Sequence, residues 1–487
     1  MRKAWMGSVV VLLLTGCGAG SYAGAPAPAT ALSAARAPEP VTVEPGVATD
    51  RATDAPRPSA SGNWIGASAE SEMVMAGADE TVLGVWVDAP SARSHVRPRI
   101  DLALVIDTSG SMAGDKIANA RGAALALVDS LEDGDIVSVD TFSDDARVLV
   151  TPTAIDAMTR ARIRSVIEEV RVGGGTNMFD GLSLGESQVA RAPSTHAVRR
   201  VVLLSDGMAN VGPSSPEALG LLAERGLAQG AQVTSLGVGI DYDERTLNAL
   251  AVRSSGRLYH LGELREMASI LRREMDLLGS TVASDAFVEI VPANGVELVR
   301  EPGVHAEMST NGTIRIPLGV LFAGQHREAL VRARFRNASD WAQGPKPIAS
   351  VRLHFRDPSE GDLDRVQEVV ARVESTHDSA AVAAHANART QSIIAVQDAA
   401  NLQIHAAEEV NQGQFAAADK ALAVAQQKLE AQASNVKDDV QRQRLTHAAA
   451  GLASARASTA GAAAAPAPMR REKALELNSA GMHDNGF

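Results

Sequence analysis

Three short stretches of this sequence gather small oxygen-bearing side chains beside glycine: Asp107-Thr108-Ser109-Gly110-Ser111, Gly173-Gly174-Gly175-Thr176-Asn177 and Ser205-Asp206-Gly207. Carboxylates and hydroxyls at these spacings can cap the start of a helix, or can present hard oxygen atoms to a cation. They do not form a catalytic apparatus. No His or Lys lies within the three stretches to act as general base beside a hydroxyl nucleophile. Ser109 stands where a phosphoaspartyl-type site would carry a second aspartate, and no Walker A loop, Gly-x-Ser-x-Gly elbow or His-Glu-x-x-His pair is present. The chain is expected not to be an enzyme. It has 1 cysteine, which excludes an intramolecular disulfide, a Cys-based zinc site and an iron–sulfur cluster, leaving oxygen and nitrogen as ligands.

The hydrophobic period indicates the elements that must place these stretches. Ile100–Ile106 is a nearly continuous apolar run, as expected of a strand covered on both faces. Ile117, Ala120, Ala124, Leu127 and Leu131 then recur at helical spacing. Strands over Ile136–Phe142, Val201–Leu204, Val233–Val238 and Leu258–Leu261 alternate with helices over Arg160–Val170, Glu217–Gln229, Glu244–Val252 and Leu264–Leu278. Such alternation implies an α/β doubly wound parallel sheet, and ligands of these sheets bind at the carboxyl ends of the strands. Asp107 and Ser205-Asp206 follow strands directly.

This arrangement resembles the von Willebrand factor type A (VWA) domain over residues 99–279, including the phrases Thr141-Phe142-Ser143 and Gly239-Ile240-Asp241-Tyr242-Asp243-Glu244. The resemblance implies a Rossmann-like fold with a metal-ion-dependent adhesion site, whose five positions fall on Asp107, Ser109, Ser111, Thr176 and Asp206. Two carboxylates and three hydroxyls suit Mg²⁺, with Ca²⁺ or Mn²⁺ as alternatives, and do not suit zinc or copper. In such a site the metal accepts one more anionic oxygen, so the implied partner is a protein supplying an Asp or Glu carboxylate. A helix beginning near Gly114 would favour that incoming anion. Asp144 and Asp145, at another strand end, either rim this face or form a solvated turn. His260 is expected to be a satisfied core residue.

Around this domain the period changes. Residues 280–360 alternate with period two, with Asn294-Gly295 and Asn311-Gly312 as turn signals, and Glu80–Val87 alternates likewise. The expectation is a β-sandwich-like domain in which residues 64–98 join residues 280–360, with the α/β domain inserted between. Residues 361–453 show helical stripes, among them Ile393, Val396, Ala400, Ile404, Ala407 and Val410, and are expected to form a helical hairpin or bundle. Residues 454–487, with Ala462–Ala465, Pro466 and Pro468, are expected to be a disordered tail.

At the other end, Met1-Arg2-Lys3 precedes an apolar run ending at Leu14-Thr15-Gly16-Cys17. Residues 1–17 resemble a bacterial lipoprotein signal peptide with its lipobox, which implies lipidation of Cys17 and anchoring of the chain to a membrane by acyl chains. Gly18 after the cysteine favours the outer membrane of the cell envelope under that resemblance. Residues 18–63, rich in Ala and Pro, are expected to be a tether. The 487-residue chain has 46 Lys+Arg against 58 Asp+Glu, a net charge of −12, and its aromatics are 3%, which together exclude a nucleic-acid surface. The combined expectation is an envelope lipoprotein presenting a divalent-metal-dependent protein-binding site for adhesion or scaffolding. The alternatives are an assembly module of a chelatase or moxR-type ATPase system, or a structural envelope protein with an idle metal site.

Overall fold

A computed structural model describes residues 62–91, 97–239, 242–261, 264–301, 305–336, 344–361, 363–462 and 465–484. Cys17 and nearly all of the tether lie outside the described residues.

The chain begins with β1 (Ile65–Ala69), β2 (Met73–Met75) and β3 (Glu80–Asp88), of which β1 and β3 pair antiparallel with Ile65 opposite Val87. An α/β domain follows: β4 (Ile100–Asp107), α1 (Asp115–Ser130), β5 (Ile136–Phe142), β6 (Ala146–Ala154), α2 (Ala157–Glu168), α3 (Met178–Val189), β7 (Val198–Ser205), α4 (Pro216–Leu227), β8 (Ala231–Val238), α5 (Glu244–Arg253), β9 (Arg257–Leu261) and α6 (Met267–Leu278). Its sheet runs β6-β5-β4-β7-β8-β9, parallel throughout except for β6, which returns antiparallel from β5. Ile100, Leu102, Leu104 and Ile106 of β4 face one layer, built from α1, α2 and α6. Ala103 and Val105 face the other, built from α3, α4 and α5. This two-sided burial explains the unbroken apolar run in β4.

Helix α3 has a weak helical signal in sequence because Gly181 and Gly185 interrupt it. Both glycines are steric requirements. A Cβ at Gly181 would lie 2.6 Å from Phe142, and one at Gly185 would lie 2.5 Å from Val105, so α3 can sit close on the sheet only without them. Its start is fixed by Asn177, whose Oδ1 accepts from the Asp180 N–H at 3.2 Å.

Beyond α6 come β10 (Thr281–Pro292), β11 (Val296–Arg300), β12 (Glu307–Met308), β13 (Ile314–Phe322), β14 (His326–Phe335), β15 (Lys346–Asp357) and β16 (Leu363–Thr376). They form two sheets, β1-β3-β14-β11 and β12-β13-β10-β15-β16-β2, which enclose one apolar core that includes Trp64, Leu83, Val288, Val331, Leu353 and Val373. Strands from before and after the α/β domain thus share both sheets, with Asp88 opposite His326 and Thr376 beside Met75.

Strand β16 departs from the expectation that helix begins at residue 361. Val366, Val369, Val370 and Val373 imitate helical spacing, but β-branched side chains favour a pleated surface, and β15 offers them an eleven-pair ladder. Helices begin with α7 (Ser379–Ala384) and continue through α8 (Ala388–Asn411), α9 (Phe415–Asn435), α10 (Asp439–Ala462) and α11 (Ala467–Asp484). The expected disordered tail is corrected by the last two. Alanine-rich sequence is the best intrinsic helix former, Pro468 falls within the first turn of α11 where proline is tolerated, and Leu475 and Leu477 are buried. Leu477 packs among α8, α9 and α10, whereas Leu475 enters the α/β core beside Tyr242 and Leu247.

Candidate metal centre

Strand β4 ends in a carboxylate with no exposure to solvent. Asp107 Oδ1 accepts the Ser109 N–H at 2.8 Å, which folds the chain back at once, and Oδ2 accepts the Ser205 hydroxyl at 2.7 Å from the end of β7. Thr108 ties the same turn to β5, its N–H and hydroxyl both donating to the Phe142 carbonyl at 2.8 and 2.9 Å. Three strand ends are thereby locked together at the topological switch of the sheet.

The sequence-predicted residues converge there. Ser109 Oγ and Ser111 Oγ are 3.0 Å apart, and the Ser111 hydroxyl donates to Asp206 Oδ1 at 2.7 Å. Thr176 arrives from the glycine loop. A Cβ placed on Gly207 would lie 3.4 Å from Ser111 Oγ and 3.7 Å from Thr176 Oγ1, in ordinary contact with both, so these two hydroxyls flank the same glycine. Asp107, Ser109, Thr176 and Asp206 are all buried, whereas Ser111 and Gly110 are exposed, which gives the cluster one open side.

Backbone clips hold the glycine loop in place. Gly173 N–H donates to the Thr108 carbonyl at 2.7 Å, Gly110 N–H to Gly174 at 3.1 Å, and Gly175 N–H to Asp144 Oδ1 at 2.8 Å. The Asp144 carboxylate, read from sequence as either a rim or a solvated turn, is the anchor of this loop. Asn210, unremarked in sequence, braces Thr176 from the other side: its Oδ1 accepts Thr176 N–H at 2.9 Å and its N–H donates to the Thr176 carbonyl at 3.0 Å. Ser205 and Lys116 were also missed. The Lys116 ammonium donates to Asp206 Oδ2 from the second residue of α1, and nothing local to that helix signals the contact. His260 lies away from the site and is only half satisfied: Nδ1 meets the Tyr242 hydroxyl at 3.2 Å, while the buried Nε2 has no partner.

Burial pushes the Asp107 carboxyl above its ordinary range, hydrogen bonds from Ser205 and Ser109 oppose that, and the charge of Asp206 adds to it. Two carboxylates that repel each other beside three hydroxyls fit a hard divalent cation, which would relieve both the burial and the repulsion. Among the described residues no group of three or more His, Cys, Asp and Glu side chains is placed to hold a metal, and the cluster at these strand ends is a mixed carboxylate–hydroxyl set.

Comparison with known proteins agrees with the fold. Residues 101–273 match the von Willebrand factor type A domain family. The uncharacterised protein YfbK of Escherichia coli is 29% identical over 217 residues, covering 44% of this chain and 37% of that protein. Inter-alpha-trypsin inhibitor heavy chain H3 of Rattus norvegicus is 30% identical over 167 residues, covering 32% of this chain and 18% of that one. The chain therefore spans well under half the length of either relative. Among solved structures, a von Willebrand factor type A protein from Catenulispora acidiphila superposes with a TM-score of 0.68 at 17% identity, over 88% of this chain and 98% of its own. That likeness reaches beyond the α/β domain, since it takes in most of the flanking strands and helices as well. Residues 101–273 are a VWA domain.

Proposed function

We propose that this VWA-domain chain is an envelope protein, held to the membrane by lipid on Cys17, that binds a protein partner through a divalent cation. Asp107, Ser109, Ser111, Thr176 and Asp206 would hold the ion, with Mg²⁺ the best match to the donors. The cation supplies a Lewis-acidic centre able to accept a carboxylate oxygen. The chain's own residues do the rest. Ser205 and the Ser109 N–H aim Asp107, Asn210 and Asp144 fix the loop that carries Thr176, and Ser111 forms the open side.

The observation that carries this reading is the convergence of three separated turns on one hydroxyl–carboxylate cluster that is closed on all but one side. The turns that build the cluster also carry exposed apolar side chains, Met208 at 64% directly after Gly207 and Val172 at 36% directly before Gly173. A partner's acidic side chain flanked by apolar neighbours would suit such turns. The cluster's carboxylates take its hydroxyls as structural partners, Asp107 from Ser205 and Asp206 from Ser111, and among the described residues no histidine is hydrogen-bonded to them as a general base, so binding rather than catalysis is proposed. As to anchoring, no described helix is long and apolar enough to cross a membrane, and the lipobox-like Leu14–Cys17 supplies the alternative.

The test is a comparison of partner capture by the lipidated chain with and without chelator, beside an Asp107→Ala, Ser109→Ala double mutant checked for folding by circular dichroism. Capture should be lost in both cases. Capture that survives both would sink the metal-dependent reading.

A further inference from the structure

The two oxygens of Asp206 are divided between unlike donors. Oδ1 takes the Ser111 hydroxyl at 2.7 Å, and Oδ2 takes the Lys116 ammonium. The Lys116 side chain is 26% exposed while that of Asp206 is fully buried, so the lysine reaches in from the rim. Its path runs over the end of β8, where a Cβ on Gly239 would come within 3.8 Å of Lys116 Cε. A flexible four-carbon stem with a partly solvated head can withdraw from Asp206 and still remain at the edge of the cluster.

We propose that Lys116 is a built-in counter-charge that both competes with the divalent cation for Asp206 and, once the cation is bound, selects an anionic ligand. This rests on the metal-binding reading above and adds to it a residue that sets ligand charge. The electrostatics follow from formal charges. Asp107 and Asp206 against one ammonium leave the cluster one negative charge, which attracts a divalent cation. With the cation bound and the lysine still at the rim, the cluster carries one positive charge, which favours a carboxylate over a neutral amide or hydroxyl. Without the lysine the same loaded cluster would be neutral. Lys116 therefore has effects of opposite sign: it weakens metal uptake and strengthens capture of an anion. A residue with a purely structural part at the head of α1 would change the two together or neither.

The experiment uses the full chain and its Lys116→Gln, Lys116→Arg and Asp206→Asn variants, with Mn²⁺ as the metal probe by calorimetry and acetate as the anion probe by water-proton relaxation of the Mn²⁺-loaded protein. Lys116→Gln should bind Mn²⁺ at least about tenfold more tightly, equivalent to about 1.4 kcal/mol, and should bind acetate several-fold more weakly. Lys116→Arg, which keeps the charge, should restore both values toward those of the unaltered chain, and Asp206→Asn should abolish Mn²⁺ uptake. Mn²⁺ binding to Lys116→Gln that is equal to or weaker than that of the unaltered chain overturns the proposal while leaving the metal site standing, as does acetate binding that is undiminished. Absence of Mn²⁺ uptake by both the unaltered chain and Lys116→Gln overturns the metal reading itself and this proposal with it.

Discussion

Asp101, at the start of β4, makes the pH dependence of this fold a direct test of how its core is built. Its side chain is 1% exposed, neither carboxyl oxygen has a hydrogen-bond partner, and burial pushes its pKa from 3.8 up to about 7 against the opposing charge of Arg199 on β7. In the unfolded chain the group titrates near 4. Between about pH 4 and pH 7 the unfolded state therefore releases a proton that the folded state retains, and stability falls as pH rises through that window. At 1.36 kcal/mol per pH unit, about three units correspond to about 4 kcal/mol at most, and relaxation of the surroundings will reduce it. Asp101→Asn removes the titration while preserving shape. The variant should match the unaltered chain near pH 4 and exceed it in melting temperature by several degrees at pH 8, using about 2–4 °C per kcal/mol for a domain of this size. Thermal unfolding followed by circular dichroism at pH 4.5, 6 and 8 reads this out. Parallel curves for the two proteins, or a variant less stable at pH 8, would refute the reasoning.

Two other consequences concern packing. Gly185→Ala puts a methyl group 2.5 Å from Val105 and 3.1 Å from Val201, so α3 should lift from the sheet. A net destabilisation of about 1–2 kcal/mol is expected in spite of alanine's better helix propensity, measurable by urea unfolding, and a stabilised variant would show that α3 has room. Arg389 at the start of α8 donates to both oxygens of Asp88 at 2.7 and 2.6 Å and lies 4.7 Å over the Trp86 ring. Burial alone would raise Asp88, but hydrogen bonds from His326 and Arg389 bring it down to about 2. Arg389→Ala should loosen the helical bundle from the strands at a cost of about 2 kcal/mol, between the exposed and buried limits for such pairs, and should raise amide exchange in α8. Because the Asp88 pKa is depressed, the stability it contributes is present above pH 4 and is lost as pH falls toward 2, so the variant and the unaltered chain should converge in acid.

The parts of this molecule that were readable in sequence are those whose signals are local. The apolar run of β4, the Asp-x-Ser-x-Ser turn after it and the Ser205-Asp206-Gly207 turn each announce themselves within a few residues, and the structure brings all five anticipated side chains to one place. What was not readable depends on distant partners. The glycines of α3 look like helix breakers until Phe142 and Val105 are seen beneath them. The valines of β16 carry two periods at once, and only the open edge of β15 decides between them. The alanines and prolines of residues 454–487 look structureless by composition, yet α8 and the α/β core provide surfaces for Leu477 and Leu475 to bury against. Lys116 belongs to the same class, since nothing in α1 reveals that its ammonium will meet a carboxylate ninety positions later.

The most direct test is calorimetric titration of the folded chain with Mg²⁺, beside Asp206→Asn. The account predicts saturable uptake of a single ion by the unaltered chain and none by the variant. Uptake by neither protein, or equal uptake by both, would contradict it.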